Sequence, residues 1–294
     1  MSWLTSRALV KAQFAFISTP DGLNGWIRKD LPKDLVAELI TDPERLLADP
    51  KSETLKTAPK GKVVKRTVTG GNGALWNIVL KESRHSSLWR RLGCLFLPSP
   101  AFQSLVGSVL LSHEQVDTAK ALAAFERRRW SELGKSYYFS EEVKDSESID
   151  SFWAYKIAPR PRRENLRERA QVLRAIAALF YRLHSHGIFH RDLKGANILL
   201  RKQGVDRWQC LLIDVTGISK SPQLNWPRRI KNLEQLVRTF GFHLTDRELT
   251  YLIKRYADLF TLPRDRRRTL VGSLRAILPP YGERQPGPDQ RSSE

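Results

Sequence analysis

Cysteine is scarce in this chain, since Cys94 and Cys210 are the only two among 294 residues. They lie far apart and form no CxxC pair, so we predict two free thiols rather than a disulfide framework or a cysteine zinc site. Long apolar runs are also lacking. The longest, residues 175–181 (AIAALFY), falls far short of the ~20 residues that span a bilayer. No transmembrane helix is expected, and Arg7 and Lys11 interrupt the first apolar stretch, which argues against a signal peptide.

Acidic residues are outnumbered by basic ones. The chain has 31 Asp and Glu against 50 Lys and Arg, a net charge of +19, and a sequence pI of about 10.2. Such a balance favours an anionic partner. No nucleic acid is expected, because no recognised binding motif accompanies the charge. Hydrophobic residues at 41% and charged residues at 28% exclude a collagen-like or wholly disordered chain.

The first half of the chain has the pattern of a β-sheet. Two β-rich runs, residues 62–69 and 75–81, flank the glycine-rich residues 70–73, which is a hairpin signal. Pro32 and Pro43 break residues 31–47 into short helical pieces. A further helix is predicted at residues 100–113, and further strands at residues 121–130 and 136–143.

The second half is mainly helical after a polar segment, residues 144–151, that suits a short hinge. The predicted elements are a helix at residues 166–186, short strands at 198–200 and 209–213, and helices at 230–240 and 246–260. We therefore predict an α+β, two-lobed protein. Its parts would be an N-terminal leader and β-rich lobe (1–143), a short helical lobe (144–281) and a disordered tail (282–294).

The most informative string is residues 190–199 (HRDLKGANIL). It resembles the catalytic loop of protein-kinase-like phosphotransferases, H-R-D followed by Asn five residues after the Asp. Phosphoryl transfer needs a carboxylate to receive the acceptor hydroxyl's proton and an amide oxygen to hold a metal ion. Asp192 and Asn197 are the candidates, and Lys194 would offset charge on the transferred phosphate.

Residues 214–217 (DVTG) follow an apolar strand at the place where such kinases carry the metal-binding D-F-G element. Asp214 and Gly217 are present, whereas Val215 replaces the Phe. This replacement argues against the Phe-based activity switch of regulated protein kinases. The metal ligand itself, Asp214, is retained.

A kinase also needs a cation on the nucleotide phosphates, and Lys81 at the end of the run IVLK matches the strand lysine. Residues 55–62 are placed to cover the nucleotide but contain only Gly61, so the usual glycine triplet is missing. Backbone groups near Val143 would meet the adenine. The glutamate that normally pairs with the strand lysine is not identified; Gln103, Glu114 or no residue remain open.

The plan of the chain resembles the bacterial lipopolysaccharide kinase family (Kdo/WaaP-like) from about residue 42 to residue 256. The strings that carry the resemblance, beside the catalytic loop, are DPERLL at 42–47, LWRRL at 88–92, SPA at 99–101, the two strands ALAAFERRRW and SYYFSEEV, and KNLEQL at 231–236. The resemblance implies an ATP- and Mg²⁺-dependent kinase whose acceptor is a sugar hydroxyl of a lipopolysaccharide-type glycolipid. The implied location is the cytoplasm, either free or peripheral on the inner face of the cytoplasmic membrane.

Two alternatives remain open. Lys194 is also typical of Ser/Thr protein kinases, although no A-P-E string follows Asp214 and the chain after Gly217 runs only to residue 294. A non-catalytic kinase-like scaffold would explain the missing glycine triplet, but the retained Lys81, Asp192, Asn197 and Asp214 argue against it. The oligomeric state is not predicted.

Several arginine clusters fit an anionic glycolipid or membrane surface as partner. They are Arg127–Arg129, Arg160 with Arg162 and Arg163, Arg228 and Arg229 with Lys231, and Arg264 with Arg266–Arg268. Residues 87–96 (SLWRRLGCLF), with Trp89 and Phe96, could form either an interfacial anchor or a helix packed on the first lobe.

Overall fold

The structure, a computed structural model, describes residues 3–70, 73–84, 98–129 and 132–279. Three sequence predictions lie wholly or partly outside these residues: the tip of the 70–73 turn, the SLWRRLGCLF stretch and the tail from residue 282. The chain divides into two compact units. The first comprises Met1–Lys144 with Asp214–Gly217, and the second comprises Asp145–Ile213 with Ile218–Glu294.

The first unit is built on a seven-stranded antiparallel sheet with the strand order β1-β2-β6-β7-β5-β4-β3. The strands are β1 (Phe14–Ser18), β2 (Leu23–Arg28), β3 (Glu53–Ala58), β4 (Gly61–Thr69), β5 (Leu75–Arg84), β6 (Ala121–Arg129) and β7 (Glu132–Glu141). The helices are α1 (Trp3–Gln13), α2 (Lys33–Thr41), α3 (Pro43–Ala48) and α4 (Pro100–His113).

Helices cover both faces of this sheet, as the alternation of apolar side chains along its strands requires. On one face Leu35 and Leu39 of α2 join Leu80 and Phe139 in one buried cluster. On the other face α1 and α4 pack in a second cluster, which includes Tyr138 of β7. Each face therefore has a core of its own.

The predicted hairpin at residues 62–81 is present. β4 and β5 pair from Val63 opposite Lys81 to Thr69 opposite Leu75, and the Gly70 N–H donates to the Ala74 carbonyl. β3 precedes them as the edge strand and pairs with the first half of β4. Residues 55–62 therefore form the tip of a second hairpin, between β3 and β4. The β-hairpins thus place Lys81 on an interior strand between β4 and β7.

The second unit is mainly helical. Its strands are β8 (Ser146–Ser148), β9 (Ile188–His190), β10 (Ile198–Gln203), β11 (Arg207–Leu212) and β12 (Ile218–Lys220). Its α-helices are α5 (Ile149–Phe152), α6 (Arg162–Ser185), α7 (Trp226–Phe240), α8 (Asp246–Leu259) and α9 (Arg264–Arg275), with a π-helical turn at Trp153–Ile157. The buried stripe of α6, including Val172, Ile176 and Leu183, confirms the helix that the periodicity predicts.

The α+β class is confirmed, with a β-rich N-terminal part and a helical C-terminal part. Helix α4 has the predicted bounds, because Ser99 caps it and Pro100 occupies its first turn. The polar segment 144–151, interpreted as a hinge, also contains β8, which pairs with β10. Within the described residues, no helix is both long and apolar enough to cross a membrane.

Candidate active site

The residues of the H-R-D motif form a loop between β9 and β10. Asp192 is the exposed centre of this loop, with 57% of its side chain accessible, and the Lys194 Nζ lies 3.4 Å from its Oδ2. Asn197 donates from Nδ2 to the Asp192 backbone carbonyl at 2.9 Å, and the same nitrogen is 3.5 Å from Asp192 Oδ2. The structure therefore brings together three predicted site residues: a carboxylate, an ammonium group and an amide.

The orientation of the Asn197 amide follows from these hydrogen bonds. Its nitrogen is directed to Asp192, and the residue is only 8% exposed. The oxygen Oδ1 is therefore the atom available as a ligand for a hard cation.

Helix α7 supports the catalytic loop from the side of the second unit's core. Asn232, which is fully buried, donates to the His190 carbonyl at 2.6 Å and accepts from the His190 N–H at 3.4 Å. Seven residues on, the Thr239 hydroxyl accepts from the Gly195 N–H at 3.0 Å. In the sequence, the signal for this support is a set of polar residues on the apolar side of the amphipathic helix α7.

Asp150 of α5 is a second carboxylate beside this loop that the sequence analysis missed. A Cβ atom on Gly195 would lie 1.9 Å from Asp150 Oδ1, so any larger residue at that position would displace the Asp150 carboxyl group. Oδ1 is buried and has no hydrogen-bond partner among the described residues. Burial raises the pKa of Asp150 to about 6, and the positive charge of Lys194 opposes this rise.

The other two charged candidates, Lys81 and Asp214, form an ion pair within the first unit between Lys81 Nζ and Asp214 Oδ1. Asp214 has a φ of 53°, in the left-handed region that non-glycine residues seldom adopt. Such strain persists where the surroundings impose it, and it is concentrated at functional sites. The side chains are 29% and 39% exposed, so both remain accessible to a ligand.

Helix α4 fixes the residues after Asp214. A Cβ on Gly107 would lie 2.3 Å from the Val215 carbonyl oxygen, so glycine at this position lets the helix approach the backbone closely. Val215 is buried, and the Thr216 hydroxyl lies 2.7 Å from that of Ser104. Val215 is thus packed in the interior of the first unit, although it lacks the aromatic ring of the usual Phe.

The two candidate partners of Lys81 have other contacts. The Gln103 amide donates to the Pro98 carbonyl at 2.8 Å, and the Glu114 carboxylate lies 2.9 Å from His113 Nδ1. Asp214 is the carboxylate that pairs with Lys81 in the structure. These contacts favour the alternative in which neither Gln103 nor Glu114 is the partner of Lys81.

Gly61 and Val143 lie at the two ends of the predicted nucleotide-binding region. Gly61 begins β4, and a Cβ there would lie 2.0 Å from the Glu82 carbonyl oxygen, which is a packing reason for glycine. Val143 follows β7 and is half-buried. Its neighbours Glu141 and Glu142 form ion pairs with Arg28 and Lys65 at 2.8 and 3.1 Å.

Part of the basic surface makes local contacts. Arg127 pairs with Asp21 at 2.8 Å, and Arg229 lies over the Phe260 ring at 4.4 Å. Arg264, Arg266 and Arg268 at the start of α9 are exposed.

The antiparallel sheet with its interior lysine, the H-R-D loop and the Asp-Val-Thr-Gly segment define a phosphotransferase of the protein-kinase-like fold. The sequence matches the lipopolysaccharide kinase (Kdo/WaaP) family over residues 109–256, half of the chain. The chain belongs to that family and is a kinase.

A solved structure described as "WaaP in complex with acyl carrier protein" is similar to this one, with a TM-score of 0.58 and 19% sequence identity. The similarity covers 84% of this chain and 96% of that chain, and at this identity it concerns the fold. No curated protein matches the sequence.

Proposed function

We propose that the protein transfers the γ-phosphate of ATP to a sugar hydroxyl of a lipopolysaccharide-type glycolipid. The observation that carries the proposal is the catalytic loop, in which Asp192, Lys194 and Asn197 are held within hydrogen-bonding or ion-pair distance of one another. Family membership supports the choice of a lipopolysaccharide acceptor.

The donor atoms fit a nucleotide and a divalent cation. The Asn197 amide oxygen and the Asp214 carboxylate are hard oxygen ligands of the kind that Mg²⁺ takes in kinases. Within the described residues there is no cluster of three or more acidic, His or Cys side chains. Mg²⁺, when bound, would neutralise charge on the phosphates.

Each residue of the chain then has a distinct task. Asp192 orients the acceptor hydroxyl and receives its proton, while Lys194 stabilises charge on the transferred phosphate. Lys81 binds the nucleotide phosphates, and its pairing with Asp214 keeps both side chains in place before the nucleotide arrives. Gly61 would lie in the segment that covers the nucleotide, and the backbone at Val143 would contact the adenine.

The decisive assay uses radiolabelled ATP with lipopolysaccharide from which core phosphates have been removed. Asp192→Asn should lower kcat by about 10²- to 10⁴-fold with ATP binding unchanged, because the amide keeps the shape but cannot accept the proton. Asp214→Asn should instead weaken Mg²⁺-dependent ATP binding, since a neutral amide is the poorer ligand. Equal turnover of the parent and Asp192→Asn would refute the proposed role.

Generic protein substrates form the second arm of the same assay. Transfer to protein but not to the glycolipid would favour the Ser/Thr protein kinase alternative. ATP binding without transfer to either would favour the scaffold.

The positive charge supports peripheral binding to an anionic membrane surface on the cytoplasmic side. Vesicles with anionic lipid should bind the protein at low salt and release it as salt rises, because exposed charges are screened over about 8 Å at physiological ionic strength. Neutral vesicles are the control. Acyl carrier protein, the partner named for the similar structure, should be tested alongside as a protein ligand.

A further inference from the structure

The peptide groups on either side of Asp192 are both held by one side chain, that of Gln235 on α7. Gln235 Nε2 donates to the Arg191 carbonyl at 2.5 Å, and Gln235 Oε1 accepts from the Leu193 N–H at 3.2 Å. Gln235 is separated from these residues by more than 40 positions in the sequence, so the bridge depends on the tertiary fold.

The direction of the Gln235 amide is determined by a third contact. Asn232 Nδ2 donates to Gln235 Oε1 at 2.9 Å, so the oxygen faces two donors and the nitrogen faces the Arg191 carbonyl. Glutamine has both a donor and an acceptor at this reach. An ionised glutamate would direct an oxygen at the Arg191 carbonyl, and methionine would make neither hydrogen bond.

We propose that Gln235 is a positioning residue for phosphoryl transfer, which fixes the direction of the Asp192 carboxylate by holding the peptide groups before and after it. The inference rests on the proposed role of Asp192. A side chain that is 57% exposed has few packing contacts to orient it, so its direction depends on the backbone from which it projects. A misplacement of about 1 Å at a reacting group can cost on the order of 10² in rate.

The test compares Gln235→Met, Gln235→Glu and the control Arg238→Met, an exposed position on the same helix. The substrates are ATP and dephosphorylated lipopolysaccharide, and melting curves are recorded for each protein. Gln235→Met should lower kcat by about 10- to 100-fold while KM for ATP stays within about twofold. Arg238→Met should match the parent in both constants.

The pH dependence of Gln235→Glu provides a readout that a general loss of stability would not move. The Arg191 carbonyl oxygen would face the new carboxylate and disfavour its ionised form, which raises the pKa of that carboxyl above its usual range. Protonation restores a donor to the Arg191 carbonyl, so kcat relative to the parent should rise as pH falls from 7 toward 5. The other titratable or charged groups around the loop are common to both proteins, so the ratio isolates residue 235. They are Asp150, His190, Arg191, Asp192, Lys194, Glu234 and Arg238.

Two results would overturn the inference: a Gln235→Met variant with the kcat of the parent, or a Gln235→Glu variant with the kcat of the parent at pH 8. Asp192→Asn in the same assay separates this inference from the function proposed above. An inactive Asp192→Asn beside a fully active Gln235→Met removes only the role of Gln235, whereas an active Asp192→Asn removes the proposed mechanism itself.

Discussion

The buried ion pair between Arg169 of α6 and Glu248 of α8 should be a main determinant of the second unit's stability. The two side chains are 8% and 4% exposed, and Arg169 donates to Glu248 Oε1 at 2.8 Å. The guanidinium also donates to Asn165 Oδ1 at 2.6 Å and to the Ile157 carbonyl at 2.7 Å. Its hydrogen-bonding capacity is thus largely used inside the fold.

Arg169→Met should therefore destabilise the protein by about 3–5 kcal/mol, because the buried Glu248 carboxylate loses its nearer cation and keeps the half-exposed Arg162 at 3.9 Å. For a unit of this size that corresponds to a fall in Tm on the order of 10 °C. Arg167→Met is the matched control on the same helix. Arg167 pairs with Asp206, but its side chain is 76% exposed, so its loss should cost no more than about 1 kcal/mol.

Calorimetry of the double variant Arg169→Met/Glu248→Met completes the experiment. Removing both charges should recover much of the loss, since no unpaired charge stays buried. The double variant should remain about 1 kcal/mol less stable than the parent, because it also lacks the capping box that Glu248 forms with Thr245 at the start of α8. Equal losses of Tm for Arg167→Met and Arg169→Met would refute this reasoning.

Three further predictions concern single side chains. Burial lowers the pKa of His184 to about 3. As pH falls, the unfolded chain binds the proton before the folded protein does, so the free energy of unfolding should fall by about 1.4 kcal/mol per pH unit from pH 6 to 4. Urea titrations of His184→Gln should show a weaker dependence of this free energy on pH. Gly107→Ala should lower both Tm and ATP affinity by displacing Val215, whereas Gly272→Ala on α9, where a Cβ meets open space, should raise stability by about 0.5–1 kcal/mol in the same melting assay. The pKa of Asp150 is raised to about 6 by burial, so the folded protein holds this proton more tightly than the unfolded chain, and stability should fall as pH rises from 4 through 6. Asp150→Asn should raise Tm at pH 8 but not at pH 4, and an equal change at both values would contradict the burial argument.

The elements that the sequence predicts well are those whose signals are local. Helix α4 carries its cap and its proline at the correct end, and the β4–β5 hairpin has its glycine-rich turn between two β-branched runs. The strand β2 contains Gly25, where a Cβ would lie 2.1 Å from the Ala124 carbonyl oxygen. Glycine lowers the strand propensity of this segment, although the close approach of the neighbouring strand requires it. That requirement comes from a distant part of the chain, so a local sequence window does not show it.

Polar elements were missed for a related reason. β8 consists of Ser146–Ser148, which resembles a hinge by composition, and its hydrogen bonds with β10 are what make it a strand. Helix α9 is dominated by arginine and buries only Leu270 and Leu274, too few apolar positions for a periodic pattern. Pairing and docking across the fold determine these segments, and neither is visible in a local window.

The same distinction applies to the candidate site. Asp192, Lys194 and Asn197 occur in one short motif because the loop that presents them is continuous, so their types and spacing identify them. The side chains that hold the loop come from α7, where Asn232, Gln235 and Thr239 recur at intervals of three and four and so share one face. A chain could keep the motif and lose this polar face, and its loop peptides would then lack three hydrogen-bonding partners. The polar face of α7 therefore distinguishes a catalytic loop whose backbone is held in place by hydrogen bonds from a loop that has only the motif sequence.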